Sequence, residues 1–316
     1  MTSGMSALIT INIFNMKTTA HLFTAFGNLA IVQVKTEPAA SIAFKPAGPA
    51  ICSGGLIISE STGQGVVNQL LAVNKTEDYL LLTDADVLAG AKQNRIVNKS
   101  VLLKPLSKTA VSVSCVERLR WHYTSGNFRS AGPIADPDLR KDKAGTFSRM
   151  NREADPFHNE TQGVVWNKLS RMLEEEGCHS ITESYEELID HRTRNENREF
   201  PVCEPCSGCN GLAVISGGKV VSVDIFGKED VYRYYFPFLR DSAFMTPSHE
   251  MQQPAPDKHE AFYRTLEAID NFETAPRITE SGYEGGGSRH IVENGELIGL
   301  DLQFEGQPIH SVFFGK

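Results

Sequence analysis

Apolar positions in the first part of the chain come in short runs. Leu29–Lys35, Leu56–Ser59, Asn68–Val73, Tyr79–Thr83, Arg95–Leu103 and Ala110–Val116 are rich in Val, Ile and Leu, and Gly, Asn, Asp and Pro clusters separate them. That is the pattern of short β-strands. In Ala110–Val116, Val111, Val113 and Cys115 fall on one face, and Ser112 and Ser114 on the other. A half-buried strand alternates in this way. The close spacing predicts mostly antiparallel strands in curled or sandwich-like sheets, not βαβ units.

Ser130 to Phe157 breaks the pattern. It carries Pro133, Pro137 and Pro156 and the charged run Asp138–Lys143, and it reads as a long polar connection at about 130–157 on the surface. Helical spacing follows. Over Gln162–Glu176, Val165, Trp166, Leu169, Met172 and Leu173 form one stripe, and Gly177 stops it. Ser184 with Glu187 is a capping-box signal for a second helix. Gly211–Phe226 returns to strand, with Gly217 and Gly218 in a hairpin turn. Lys228–Met245, bent near Pro237, and Pro256–Phe272 are two further helices, and the chain ends in strands. The expected fold is α+β: short antiparallel strands with several packed helices. Residues 1–18 read as a loose leader and 19–316 as a single domain, because no clean linker divides two cores.

Composition narrows the function classes. The 316 residues carry a net charge of −8, which repels phosphate backbones and argues against non-specific nucleic-acid binding. No segment approaches the roughly 20 apolar residues of a membrane helix. Six cysteines, three of them crowded together, do not look like a secreted disulfide framework. The expected location is the cytoplasm.

Three constellations are candidates for chemistry. Gln93, Asn94 and Arg95 place two amides beside a guanidinium where a polar turn enters a strand, a combination suited to phosphate, carboxylate or a purine edge. In the second, strand alternation puts Cys115 and Glu117 on one face, with Arg120 and Trp121 close behind. Glu117 is the acid–base candidate, Arg120 a ligand or ion-pair partner, and Trp121 a stacking surface. Cys115 itself reads as a buried strand residue more than as a nucleophile. In the third, Cys203, Cys206 and Cys209 have the spacing of a zinc knuckle that lacks a local fourth ligand. Free thiols in a reducing compartment are the alternative. Asp224 is unusual inside an apolar strand, and His310 reads as a satisfied structural histidine. Gln162 and Trp166 lie about one helical turn apart.

Several segments together resemble one family. They are GAKQNR at Gly90–Arg95, VSVSCVE at Val111–Glu117 running to Arg120-Trp121, QGVVW at Gln162–Trp166, Gly211–Phe226, and PIHSVF at Pro308–Phe313. Their order and spacing resemble the ADP-ribosylglycohydrolase and rhodanese-phosphatase-associated protein domain, from about Phe23 to the C-terminus. Arg118-Leu119 depart from the Gln-Gly that the family tends to have there. The resemblance implies a single cytoplasmic α+β domain with an ADP-ribose or nucleotide association and no settled activity. Two readings follow. In one, the domain binds or processes a nucleotide or ADP-ribose-like molecule, with Gln93–Arg95 and Glu117–Trp121 meeting at one pocket. In the other, it is a non-catalytic module whose long helices or Ser130–Phe157 connection bind a protein partner, a zinc-stabilised interaction domain being one version of it.

Overall fold

The computed structural model describes residues 10–12, 17–37, 39–61, 68–132, 135–150, 160–195, 202–245 and 254–316. Most of the 1–18 leader expected from sequence lies outside them. Thr10–Asn12 (β1) is described and pairs with Lys17–Thr19.

The strands predicted for the N-terminal half form, with Arg95–Leu103 divided into two strands of different sheets, and Lys17–Phe26, Phe44–Pro46, Val87–Gly90 and Phe128–Gly132 are strands beyond those predicted. This half runs β2 (Lys17–Phe26), β3 (Leu29–Glu37), β4 (Phe44–Pro46), α1 (Ala47–Cys52), β5 (Leu56–Glu60), β6 (Gln69–Asn74) and β7 (Tyr79–Leu82). It continues with β8 (Val87–Gly90), β9 (Arg95–Val97), β10 (Val101–Leu103), β11 (Ser107–Cys115) and β12 (Phe128–Gly132). Helices α2 (Pro137–Met150), α3 (Glu160–Glu175) and α4 (Tyr185–Asn195) come next, then the hairpin β13 (Gly211–Ser216) and β14 (Lys219–Phe226). Helices α5 (Glu229–Met245) and α6 (Lys258–Thr274) precede strands β15 (Arg277–Thr279), β16 (Ser288–Glu293), β17 (Leu297–Phe304) and β18 (Gln307–Gly315).

Nine strands form one antiparallel sheet in the order β1-β2-β3-β13-β14-β18-β17-β16-β15, so both ends of the chain enter it. Its strands β3 and β13 read as nearly unbroken apolar runs because both faces are covered. Ala30, Val32 and Val34 of β3 pack with Phe262, Leu266 and Ile269 of α6. Leu29 and Ile31 face the opposite way, toward Tyr232, Tyr235 and Phe236 of α5. Asp257 caps α6 by accepting from the backbone N–H groups of His259 and Glu260. A six-stranded sheet (β12-β8-β9-β11-β6-β5) and a three-stranded one (β10-β7-β4) close around a third apolar core that includes Leu56, Leu70, Leu82, Val97 and Val111.

The segment 130–157 corrects the sequence reading. Pro137–Met150 is a helix, not a surface connection, and Arg140 and Lys143 within its charged run are buried. One helical turn separates them, so both point inward from the same side. Arg140 donates to Asp84 from Nε at 2.8 Å and to Asp224 from Nη2 at 2.6 Å. Lys143 Nζ donates to the carbonyls of Asp84 and Val97 at 2.6 and 2.7 Å. His310 continues the network, with Nε2 on Asp224 at 3.2 Å and Nδ1 on Ser100 Oγ at 2.8 Å. Burial opposes the charge on Asp224, but Arg140 and the His310 hydrogen bond overcome it and hold the carboxyl at about 2. Since Asp84 and Ser100 follow strands of the smaller sheets while Asp224 and His310 lie on β14 and β18, this network joins the two bodies. A run of charges looks solvated to a composition test. Here the two buried members, Arg140 and Lys143, both have partners, and that is what permits their burial.

Candidate functional site: an acidic pocket beside the β8–β9 turn

The site begins with a tight turn between β8 and β9. Gly90 sits at φ +118°, and a Cβ there would meet Ser125 Oγ at 2.5 Å. The chain then passes Ala91 at φ +42° and enters β9 at Arg95. The second wall is an irregular ribbon that follows β11. Tyr185 N–H donates to Val116 O at 2.8 Å, Leu119 N–H donates to Thr182 O at 3.0 Å, and Glu117 bridges to Ser184. These bonds fix the start of α4 against the ribbon.

Asn94, Glu117 and Arg120 meet where turn and ribbon cross. Asn94 N–H donates to Glu117 Oε2 at 3.1 Å, and Arg120 Nη2 lies 2.6 Å from the same oxygen. Asn94 Oδ1 accepts from Gly90 N–H at 3.0 Å and from Arg120 Nη2 at 3.1 Å. Its Nδ2 donates to Glu186 Oε2 at 3.0 Å. Arg120 also donates from Nη1 to Ala91 O at 2.9 Å and to His122 O at 3.1 Å. All three side chains border an open pocket of about 530 Å³. Such a volume suits a small ligand. Glu186, Glu187 and Asp190 of α4 complete the acidic wall, and Arg129 of β12 adds a second guanidinium. Arg129 is ion-paired with Glu186. The lining therefore holds four carboxylates against two guanidiniums. Burial raises the Glu117 carboxyl, but the Arg120 hydrogen bond and the Asn94 N–H together outweigh it, and the group titrates below its ordinary range. It is held as an anion.

The other predicted residues face elsewhere. Gln93, Arg95 and Trp121 do not line this pocket. Gln93 Nε2 donates to Arg118 O at 3.2 Å, and its Oε1 accepts from Arg95 Nη1 at 3.2 Å. Arg95 is fully buried, with Nη2 at 3.6 Å from Glu60 Oε1. Its Nε and Nη2 make no hydrogen bond, nor do the two Glu60 carboxylate oxygens. Trp121 is half exposed, its ring 6.0 Å from the Arg95 guanidinium and 5.2 Å from Lys92 Nζ. Alternation accounts for the split: neighbouring residues of an extended chain point to opposite sides, so Asn94 and Arg95 cannot both enter one hollow. Cys115 behaves as a core residue. Burial pushes its thiol up to about 11, and Gln162 brackets its backbone, accepting from Cys115 N–H at 2.7 Å and donating to Cys115 O at 3.0 Å.

The three sulfurs of Cys203, Cys206 and Cys209 do not converge as a zinc site. Among the described residues the one group of three ligand atoms within 4.8 Å of one another is Asp84, Asp224 and His310, whose carboxylates Arg140 already occupies. Gln33 holds the cysteine loop by hydrogen bonds. Its Nε2 donates to Glu204 O at 2.8 Å and lies 3.8 Å from Cys203 Sγ, and its Oε1 accepts from Cys206 N–H at 2.7 Å. A side-chain amide thus holds a loop of free thiols, the alternative to the zinc reading.

Sequence reasoning missed Glu186, Glu187, Asp190 and Arg129. The acidic first turn of α4 is a signal for Glu186 and Glu187, while Asp190 lies further along the helix and Arg129 on β12.

Fold and site define an α+β domain with an acidic pocket beside a strand-end turn. The model of the ARG and Rhodanese-Phosphatase-superfamily-associated Protein domain matches residues 18–314, and the chain belongs to that family. No curated protein and no solved structure matches it.

Proposed function

We propose that this domain binds a ribose-bearing small molecule, of the nucleoside, nucleotide or ADP-ribose class, with the sugar in the acidic pocket. The observation that carries this reading is the convergence of Asn94, Glu117 and Arg120 with Glu186 on one open hollow of about 530 Å³. Carboxylates accept hydrogen bonds from sugar hydroxyls without needing a cation. Charge then decides the orientation. With four carboxylates and two paired guanidiniums around it, the pocket repels phosphate oxygens, so any diphosphate stays outside, on the Arg129 side. Glu117 serves as a fixed acceptor. Its lowered titration makes it a weak general base, and binding requires no turnover.

The test is thermal shift and calorimetry with ADP-ribose, NAD, adenosine, ribose and pyrophosphate, on wild type and Glu186→Gln. Ribose-bearing ligands should raise the melting temperature, pyrophosphate alone should not, and Glu186→Gln should weaken binding roughly tenfold, the loss of one charge-assisted hydrogen bond. Silence from every ribose-bearing ligand overturns the reading.

A second reading, a protein-interaction surface, is favoured by the exposed apolar residues on the ribbon. Leu119, Trp121, Tyr123 and Ile181 are all exposed, and the 119 and 182 backbones are hydrogen-bonded to each other. Clustered exposed apolar groups mark contact surfaces.

A further inference from the structure

We propose that Cys206 and Cys209 form a reversible dithiol–disulfide site whose oxidant is a low-molecular-weight disulfide such as oxidised glutathione. The backbone places the pair first. Cys209 N–H donates to Cys206 O at 3.2 Å, closing a turn over Ser207 and Gly208, with Gly208 at φ +78°. A turn of this kind holds its outer α-carbons within about 7 Å. Disulfide-linked cysteines span about 4.4–6.8 Å, so the bond needs little backbone movement. The Cys206 side chain stays within the turn, its Sγ donating to Ser207 O at 3.8 Å. The turn is also anchored from outside: Gln33 Oε1 accepts from Cys206 N–H at 2.7 Å, and Glu229 Oε1 accepts from Gly208 N–H at 3.0 Å.

Cys203, the other cysteine of this loop, has its sulfur engaged elsewhere: it accepts from Thr24 Oγ1 at 3.4 Å and lies 3.8 Å from Gln33 Nε2. Cys115 is buried on β11. Access divides the labour within the pair: Cys206 is half-buried and Cys209 is buried, so Cys206 attacks and Cys209 resolves.

The exchange balances as follows. The Cys206 thiol loses its proton, and its thiolate attacks one sulfur of the glutathione disulfide. A mixed disulfide forms, and one glutathione thiolate leaves. Cys209, deprotonated in turn, attacks the Cys206 sulfur and expels the second glutathione thiolate. The two protein protons end on the two glutathione thiols: two cysteines are oxidised and one glutathione disulfide is reduced. The ring closes only a four-residue turn, which constrains the unfolded chain little. The bond should therefore be easy to reduce, a switch more than a staple.

The test uses the full chain, incubated with oxidised glutathione under native conditions, quenched by alkylation and mapped by peptide mass spectrometry. Exposed Cys52 reports that the oxidant is active. Cys206 and Cys209 should lose alkylation together, with a mass loss of two hydrogens in the peptide that holds both, and dithiothreitol should restore them. Cys209→Ser should stop at a glutathione adduct on Cys206, while Cys203→Ser should leave the disulfide unchanged. The proposal is overturned if Cys206 and Cys209 stay alkylatable once Cys52 is fully modified, or if Cys203 enters the bond. The wild-type map decides whether or not a variant folds. No ligand of the acidic pocket takes part, so this result and the binding result fail separately.

Discussion

Asn94 and Glu186 lie 92 residues apart in sequence and are joined by a hydrogen bond of 3.0 Å from Nδ2 to Oε2. The bond ties the β8–β9 turn to the first turn of α4. Asn94 also receives Gly90 N–H and Arg120 on its Oδ1, so one amide organises both walls of the pocket.

Asn94→Ala should therefore damage more than binding. It leaves Glu186 without its amide donor and removes one acceptor from Arg120. The expected loss is about 1–3 kcal/mol of stability. Urea denaturation measures it. Asn94→Asp should cost more, because it sets a third carboxylate against Glu117 and Glu186.

Arg140→Leu should be among the most destabilising single changes in the chain. It leaves Asp84 and Asp224 buried without their common cation. Breaking a buried pair in this way costs about 3–5 kcal/mol. The double variant Arg140→Leu with Asp224→Asn should recover part of that loss, and a denaturation cycle over the two sites gives the coupling.

Lys143 gives stability a pH dependence of predictable sign. Burial pushes its ammonium down to about 7 from an ordinary 10.5. Between those values the unfolded chain keeps the proton that the folded chain has lost, so stability rises with pH. Below pH 7 both states are protonated and the contribution is flat. Burial and Arg289 hold Lys99 down to about 8, which adds to the same slope. Wild type should gain in urea midpoint between pH 7 and 9. Lys143→Met should be less stable throughout, having orphaned two carbonyls, and its rise should be shallower.

Gly90→Ala tests the turn. The residue would sit at φ +118° with its Cβ 2.5 Å from Ser125 Oγ. Left-handed strain of this kind costs about 1–3 kcal/mol, and the displaced Ser125 lines the pocket. Loss of melting temperature together with loss of ligand binding is the expected outcome. Gly126→Ala, with nothing within 4 Å of its Cβ, is the control.

Local pattern carried most of the strands and helices. β3, β11, α3 and the β13–β14 hairpin all stand within a few residues of where periodicity and glycines put them. The failures share one cause. Arg140, Lys143 and Arg95 are charged, and nothing local announces that a charge has a buried partner far along the chain. Arg140 meets Asp224 across 84 positions, and that distance is invisible to a window of ten residues. The candidate site was half legible for a related reason. Strand entry flagged the stretch from Gln93 to Arg95, and alternation then sent Asn94 to the pocket and Arg95 into the interior. Glu186 could not be seen, because a helix-capping acid and a pocket acid look alike until the helix is docked.

The position of β18 has a consequence for synthesis. Among the strands of the nine-stranded sheet it comes after all the others in chain order, yet it lies between β14 and β17 near the middle. Until it leaves the ribosome, β14 presents a bare hydrogen-bonding edge, and the nascent chain holds two unjoined half-sheets. That interval is when pairing with a neighbouring polypeptide competes with folding.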